Sequence, residues 1–412
     1  MNNSVDTVQQ EVDLLYKSHY GILVASLLKL FQDHSLETVE DLVQDSFAAA
    51  LTAWRKDGIP SNPAGWIYTV CRNKGLNKIK QSKKISSLSD EPDLTAIAPV
   101  FRESALEDPS LQLLFACAHP DLSPKVQVVI TLKYVANLKV EAIAKALGMG
   151  IDGIDKLLLR ARKKIKEEQV FLKEPELSHL NHRLPIVHKI IYLIFNEGYK
   201  PSVGADVLNE ELCEEALLLN KALLDHRLGD TATAALYALM LFNAARFKAR
   251  SGPGGELLDL EEQDRELWNK PLISMGCEFM KQSAGGEMST YHYEASIAFL
   301  HCTANNFQST NWTLISQLYL QLLQMNPNPF VELSYSIALY YSGQKVKALD
   351  LLNALRQHPF LNQYYLLNAT LGKIHYLEGD HEKARQFFLK TLEQTTLKRE
   401  KDFIRRMMEK LN

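Results

Sequence analysis

Lys139-Val-Glu-Ala-Ile-Ala-Lys-Ala-Leu-Gly-Met-Gly-Ile-Asp-Gly-Ile-Asp-Lys-Leu-Leu-Leu-Arg-Ala-Arg-Lys-Lys-Ile-Lys166 decides how the chain is read. Two helical stretches meet at a tight glycine turn and the second ends in cations, the pattern of a helix-turn-helix for duplex DNA. Ala144 is small where the helices would cross, Gly148 stands at the turn, and Ile143, Leu147, Ile154 and Leu158 are spaced to pack between them. Asp152 is placed to cap the second helix. Ile154, Leu158, Ala161 and Ile165 form one apolar stripe there, while Lys156, Arg160, Lys163 and Lys164 project from another side. An amphipathic hairpin with a solvated basic face is the plainer alternative for this segment taken alone.

Working outward, 412 residues exceed one ordinary core, so two to four domains are expected. Hydrophobic residues at 46% and charged residues at 23% fit a soluble globular protein, and no apolar run reaches the roughly 20 residues that span a bilayer. The polar start Met1-Asn-Asn-Ser-Val-Asp6 lacks the blocks of a signal peptide, which points to the cytoplasm and to no membrane partner. Cys71, Cys117, Cys213, Cys277 and Cys302 are scattered and form no Cys-x-x-Cys pair, so neither a disulfide framework nor a metal site is expected, nor any cofactor. A net charge of −3 hides strong local fields. Residues 72–84 and 156–166 are cationic without an acid, whereas residues 33–45 hold five acids and no Lys or Arg.

Apolar periodicity predicts helices over 11–31, 36–55 and 63–81, the last announced by Asn62 as cap and Pro63 at its first position. Ser86–Pro109 reads as a flexible linker. A second helical unit runs from Leu111 to about Glu168. Beyond Pro175 come Leu- and Ala-rich helices, Pro185–Phe195, Asn209–His226, Thr231–Phe247 and Leu257–Trp268, broken by the Gly-Pro-Gly-Gly turn at 252–255. Ser336, Gly343 and Ala348 recur 36 positions later as Gly372, Gly379 and Ala384. That resembles tetratricopeptide repeats, whose period is about 34 residues; regular hairpins without repeat ancestry would also give stacked helices. The expected fold is all-α: two small helical modules over 8–85 and 110–170 joined by a linker over 86–109, then a helical extension over 180–285 and tetratricopeptide-like hairpins over 290–412.

Residues 36–55 place Val39, Leu42, Val43, Phe47, Ala50, Leu51 and Trp54 on one helix face and Glu37, Glu40, Asp41, Gln44 and Asp45 on the other, which suits a basic protein partner. A solvated face is the plainer reading, since surface charge pairs contribute only about 0–1 kcal/mol. The helix after Pro63 carries enough cations to follow a phosphate backbone. The loop Trp54-Arg-Lys-Asp-Gly-Ile-Pro-Ser-Asn62 offers cationic and amide groups for unstacked bases, with core packing expected for Trp54 and Trp66. Glu197, in Asn196-Glu-Gly-Tyr199, lacks an adjacent His or phosphate loop, so a catalytic role is disfavoured against a helix stop at glycine with Tyr199 packed inward. No catalytic residue is expected. His179, His182 and His292 read as surface or turn residues.

Asp41-Leu-Val-Gln-Asp-Ser-Phe47, Trp54 and Asn62-Pro-Ala-Gly-Trp-Ile-Tyr-Thr-Val-Cys-Arg-Asn73 resemble the second region of bacterial sigma factors, and Ser123–Lys166 resembles their fourth. The chain looks like the extracytoplasmic-function subgroup bearing a long tetratricopeptide-like extension, which Leu106–Pro120, Tyr192–Tyr199, Leu212–Ala216 and Gln263–Trp268 also fit. The resemblance implies a non-enzymatic protein that directs bacterial core RNA polymerase to promoter DNA and assists melting. It implies that Asp41, Gln44, Asp45 and Phe47 meet the polymerase clamp. Arg55, Lys56, Asp57, Ser61 and Asn62 would lie near flipped bases of the minus-ten element, with Arg72, Asn73, Lys74 and Lys78 on nearby backbone or duplex. Lys156, Arg160 and Lys163 would enter the major groove at the minus-thirty-five element, with Arg162, Lys164 and Lys166 nearer phosphates. Gly150-Ile-Asp-Gly153 departs from the Ser- and Glu-bearing start that sigma factors often show there, which puts contacts from the helix start in doubt. The extension would dock a protein partner or the sigma modules themselves. A helix-turn-helix regulator with a sensing helical array is the alternative, but it leaves the acidic face and residues 54–84 without a role; a pure scaffold leaves both basic helices without one.

Overall fold

The computed structural model describes residues 2–31, 36–83, 109–147, 149–168, 177–201 and 207–411, which are helical with one isolated β-bridge. They fall into two compact units, Met1–Ile194 and Phe195–Asn412.

In the first unit, helices α1 (Asn2–Leu30), α2 (Leu36–Asp57) and α3 (Pro63–Lys83) form one module. Val39, Val43, Phe47, Ala50 and Trp54 of α2 bury the predicted face beside Tyr20, Val24 and Leu27 of α1. Asn62 caps α3, its Oδ1 accepting from the Gly65 amide at 2.9 Å. A second module follows: α4 (Pro109–Cys117), α5 (Pro124–Tyr134), α6 (Val140–Ala146) and α7 (Ile151–Glu168). Helix α5 is apolar on nearly every side and is buried accordingly. The turn after α6 is tight, with the Met149 amide donating to the Ala144 carbonyl at 2.8 Å; Gly148 lies outside the described residues. Asp152 is not the cap expected of it, because α7 already begins at Ile151 and places Asp152 inside its first turn. Helix α8 (Leu177–Tyr199) starts eight residues before the expected Pro185. Pro185 is tolerated inside it because that side is exposed, where water can satisfy the carbonyl left without a donor.

Residues 84–108, holding almost all of the expected linker, lie outside the described residues, but the modules themselves pack together. The crossing of α1 and α5 is close enough that a β-carbon on Gly21 would stand 1.7 Å from the Tyr134 carbonyl oxygen and 2.8 Å from Leu113 Cδ2. Only glycine fits there.

In the second unit, helices α9 (Glu210–Asp225), α11 (Lys270–Gln282) and α12 (Thr290–Thr303) surround the most apolar element, α10 (Thr231–Ala244). Asp230 and Thr233 cap α10 reciprocally, Asp230 Oδ1 accepting from the Thr233 amide and Thr233 Oγ1 from the Asp230 amide, both at 2.9 Å. His292 is buried rather than on the surface, its ring engaged with Ser289 at the start of α12. The predicted helix over 257–268 does not form. The Gly-Pro-Gly-Gly turn folds Ser251 back onto Leu257 as the β-bridge, and only Arg265–Leu267 makes a short 3-10 turn. The acids of this strap point outward to cations instead: Asp259 and Glu261 hold Lys373 at 2.6 and 2.8 Å, and Glu262 holds Arg406 and Lys410 at 2.7 and 2.8 Å.

Helix α13 (Trp312–Met325) leads into two hairpins, α14 (Pro329–Tyr341) with α15 (Lys345–Leu355), and α16 (Tyr365–Leu377) with α17 (His381–Gln394), closed by α18 (Lys398–Glu409). Gly343 and Gly379 occupy equivalent turns at φ 89° and 78°, a conformation that costs other residues dearly. Ala348 and Ala384 are fully buried where each hairpin closes.

Gly21→Ala tests the close crossing. Alanine is the better helix former by about 1 kcal/mol, yet the clash is expected to lower stability by about 1–3 kcal/mol. A urea midpoint that falls with an unchanged slope checks it; a midpoint that rises would show that the helices separate there without cost.

Candidate nucleic-acid interface

Three surfaces of the first unit carry the residues singled out by sequence. On α2, Glu37, Asp41, Gln44 and Asp45 are exposed, so most of the expected acidic face forms, but Glu40 is buried and does not belong to it. Phe47 does not belong to it: at 3% exposure its ring lies in the core, edge-on to Tyr16 with centroids 4.9 Å apart. A bulky apolar ring at a position facing α1 is drawn inward, so Phe47 can shape this surface only from beneath.

The last turn of α2 presents Arg55, Lys56 and Asp57 to solvent, and the loop to α3, shorter than the expected 54–62, presents Ser61 and Asn62. Asn62 has its oxygen engaged in the helix cap, which leaves its amide N–H groups for recognition. Trp54 is buried and meets Trp66 edge-on at 5.5 Å, forming the floor under this loop. On α3, Asn73 and Lys78 are exposed, Arg72 is half-buried, and Lys74 reaches across to donate to the Asp45 carbonyl at 2.7 Å. Lys74 therefore also fixes α3 against α2.

On α7, Ile154, Leu157, Leu158, Ala161 and Ile165 are buried, and this turns Lys156, Arg160 and Lys163 outward along one exposed face. Lys163 lies 3.8 Å from Glu167 on the same helix, a weak exposed pair. Lys164 is half-buried, and the Lys166 side chain lies outside the described residues. Leu159, 61% exposed within the same face, escaped the sequence reading, which assigned apolar residues only to the core.

Arg162 departs from its expected place near phosphates. Its guanidinium turns to α2, 3.2 Å from Glu40 and 3.8 Å from Glu37. Burial works against the Arg162 charge, but Glu40 outweighs it with help from Tyr134 and Glu37, and the guanidinium is held above its ordinary range. Glu40 itself is 6% exposed and also accepts from the Tyr20 and Tyr134 hydroxyls at 3.3 and 3.2 Å. Burial and then the Glu40 charge raise both phenols, so each stays a donor. Part of the acidic face of α2 is thus covered by the second module. Beside this contact a recess of about 250 Å³ remains, lined by polar groups including Asp41, Gln44, Lys133 and Asp155.

Comparison with known proteins identifies these modules. Residues 15–85 match the Sigma-70 region 2 family and residues 112–165 the Sigma-70 region 4 family. Residues 183–284 match a family of unknown function, DUF6596. The two sigma-70 domains give the chain the domain pair of an RNA polymerase sigma factor. A Rhizobium meliloti (strain 1021) protein, Uncharacterized protein R00370, is 29% identical over 410 residues, 97% of this chain and 96% of that one. The RNA polymerase sigma factor YlaC of Bacillus subtilis (strain 168) is 25% identical over 170 residues, 41% of this chain and 97% of its own. No solved structure matches the chain. Among the described residues, no helix is long and apolar enough to cross a membrane.

Removing Arg162 while keeping Glu40 leaves a carboxylate in the interior. Arg162→Met is expected to cost about 1–3 kcal/mol, and Arg162→Met combined with Glu40→Gln less than the sum of the two single changes. Chemical unfolding of all four proteins in the cycle measures it; strictly additive losses would mean that the pair is not coupled.

Proposed function

We propose that this chain is a sigma factor of the extracytoplasmic-function class, in the subgroup with a long tetratricopeptide-like extension. It would direct bacterial core RNA polymerase to particular promoters and help open them. The observation that carries this reading is the coexistence, in one chain with both sigma-70 domains, of an exposed acidic face on α2, a polar segment at 55–62 and an exposed basic face on α7. Asp41, Gln44 and Asp45 engage the polymerase. Arg55 to Asn62 take unstacked bases of the minus-ten element, while Arg72, Asn73, Lys74 and Lys78 follow the adjoining backbone. No bond-making is involved: capturing extruded bases in a protein pocket offsets the few kcal/mol that unstacking costs. Lys156, Arg160 and Lys163 read the minus-thirty-five element, and Leu159 among them suits the methyl group of thymine.

In this reading the contact of Arg162 with Glu40 belongs to a closed form. Engaging two separated promoter elements releases it, which frees Arg162, with Lys164 and Lys166, for phosphates. The helical extension controls how available the sigma modules are, through a protein partner or through the modules themselves.

Promoter-dependent transcription with purified core polymerase tests the reading. Asp45→Arg is expected to weaken association with core polymerase at least about tenfold, more than 1.4 kcal/mol, while duplex affinity is unchanged. Arg160→Ala is expected to lose about 1–3 kcal/mol of promoter discrimination and Lys78→Ala to reduce the salt dependence of DNA binding by about one unit of slope. A chain that never programmes initiation with its best template, or Asp45→Arg that binds polymerase as before, refutes it. Removing residues 200–412 leaves the first unit and α8 intact; transcription unchanged by that truncation would remove the regulatory role of the extension.

A further inference from the structure

The second unit contains a hollow of about 440 Å³ between the strap at 257–261 and helices α13, α14, α16 and α18. Pockets that take small molecules fall in the range of roughly 300–1,000 Å³. Its walls are aromatic. Trp312 stacks on Tyr341 with centroids 4.8 Å apart, Phe307 meets Tyr341 edge-on at 4.9 Å, and Tyr319, Tyr340 and Tyr365 complete the lining.

Polar groups gather in two clusters on this lining. Lys373, clasped by Asp259 and Glu261, is a closed ion pair with both partners in hydrogen-bond range. The other cluster is left with positive charge. Lys200 donates to the Tyr365 hydroxyl at 2.6 Å and lies 3.9 Å from Glu400, and Arg250 is a second cation on the lining, stacked on the Tyr199 ring at 3.7 Å and donating to the Tyr199 carbonyl. Burial, and the guanidinium groups of Arg250 and Arg399, push the Lys200 ammonium below its usual range against the pull of Glu400. An added anion would relieve that cluster. His301 lines the hollow with a buried Nδ1 that has no hydrogen-bond partner, and burial together with Arg246 and Arg265 lowers its pKa to about 3. The ring is therefore neutral and adds no charge to the lining.

We propose that this hollow binds a small aromatic carboxylate, with its ring against the Trp312 and Tyr341 faces and its carboxylate on Lys200 and Arg250. A peptide strand is the poorer occupant, because it would bring an amide N–H and a carbonyl at every residue into a lining whose polar groups sit in two places. The inference concerns the second unit and goes beyond the sigma reading, which assigns it no ligand.

Titration calorimetry of the full chain with indole-3-acetate and its neutral counterpart indole-3-acetamide tests it. The acid is expected to bind with Kd below about 1 mM and the amide at least about tenfold more weakly. Lys200→Met should remove that preference, and Ile337→Trp, which fills the hollow, should abolish binding, with thermal unfolding confirming that each variant folds. Should Lys200→Met fail to fold, the contrast between acid and amide on the unaltered chain still decides. Equal binding of the two probes, no binding of the acid up to about 10 mM, or undiminished binding by Ile337→Trp overturns the proposal. If neither probe binds but Ile337→Trp loses association with core polymerase, the hollow takes a protein segment and the proposal fails.

Discussion

Glu40 sits on a helix whose neighbours Glu37, Asp41, Gln44 and Asp45 face water, yet it is only 6% exposed. A carboxylate taken out of water costs several kcal/mol unless charge and hydrogen bonds are returned to it. Tyr20 on α1 supplies one donor; Tyr134 and Arg162 supply the others from the second module. The carboxylate is therefore satisfied only while both modules are together. That requirement, with the glycine crossing at Gly21, makes one unit of two modules that sequence alone presents as separate.

The contact has an apolar part and an ionic part. Its apolar part is the α1 and α5 crossing, whereas its α2 and α7 part is ionic and borders a polar recess of about 250 Å³. Opening would expose charges that water solvates well, so the net cost of separation is far smaller than the pairwise attraction suggests. An interface of that kind suits the proposed function, in which the same acidic helix must later face the polymerase and the same basic helix must face DNA. In that proposal one guanidinium, Arg162, would serve the closed form through Glu40 and be released with its charge intact.

Local rules carried most of the fold into the sequence. The apolar stripe of α7, the Asn62 cap and the two turn glycines 36 positions apart are each set by residues within a few positions of one another, and each reappears in three dimensions. What could not be read is non-local. Nothing in one sequence pairs Glu40 with Arg162, 122 positions away, and the sigma-factor resemblance points Arg162 to phosphates instead. Phe47 was assigned to a surface by motif although its own helical phase put it with Val43 and Ala50 on the buried face. The same failure explains 257–268, where periodicity favoured a helix and distant cations decided otherwise.

That strap shows how long-range charge can overrule a local preference. Residues 257–268 hold enough Leu and Glu to form a helix of their own, but a helix would have to turn its acids away from one another around the axis. In the strap, Asp259 and Glu261 converge on one ammonium while Glu262 receives two cations from α18. Arg265 in turn donates to the His301 and Ala304 carbonyls at 2.6 and 2.7 Å, satisfying the end of α12, and its guanidinium lies over the buried Trp268 ring. These bonds reach three places: α16, α18 with the residue after it, and the end of α12. An extended segment can make all of them at once, whereas a helix could present only one face to one neighbour, so the strap trades its own hydrogen-bond ladder for ties across the unit and in doing so forms one wall of the aromatic hollow.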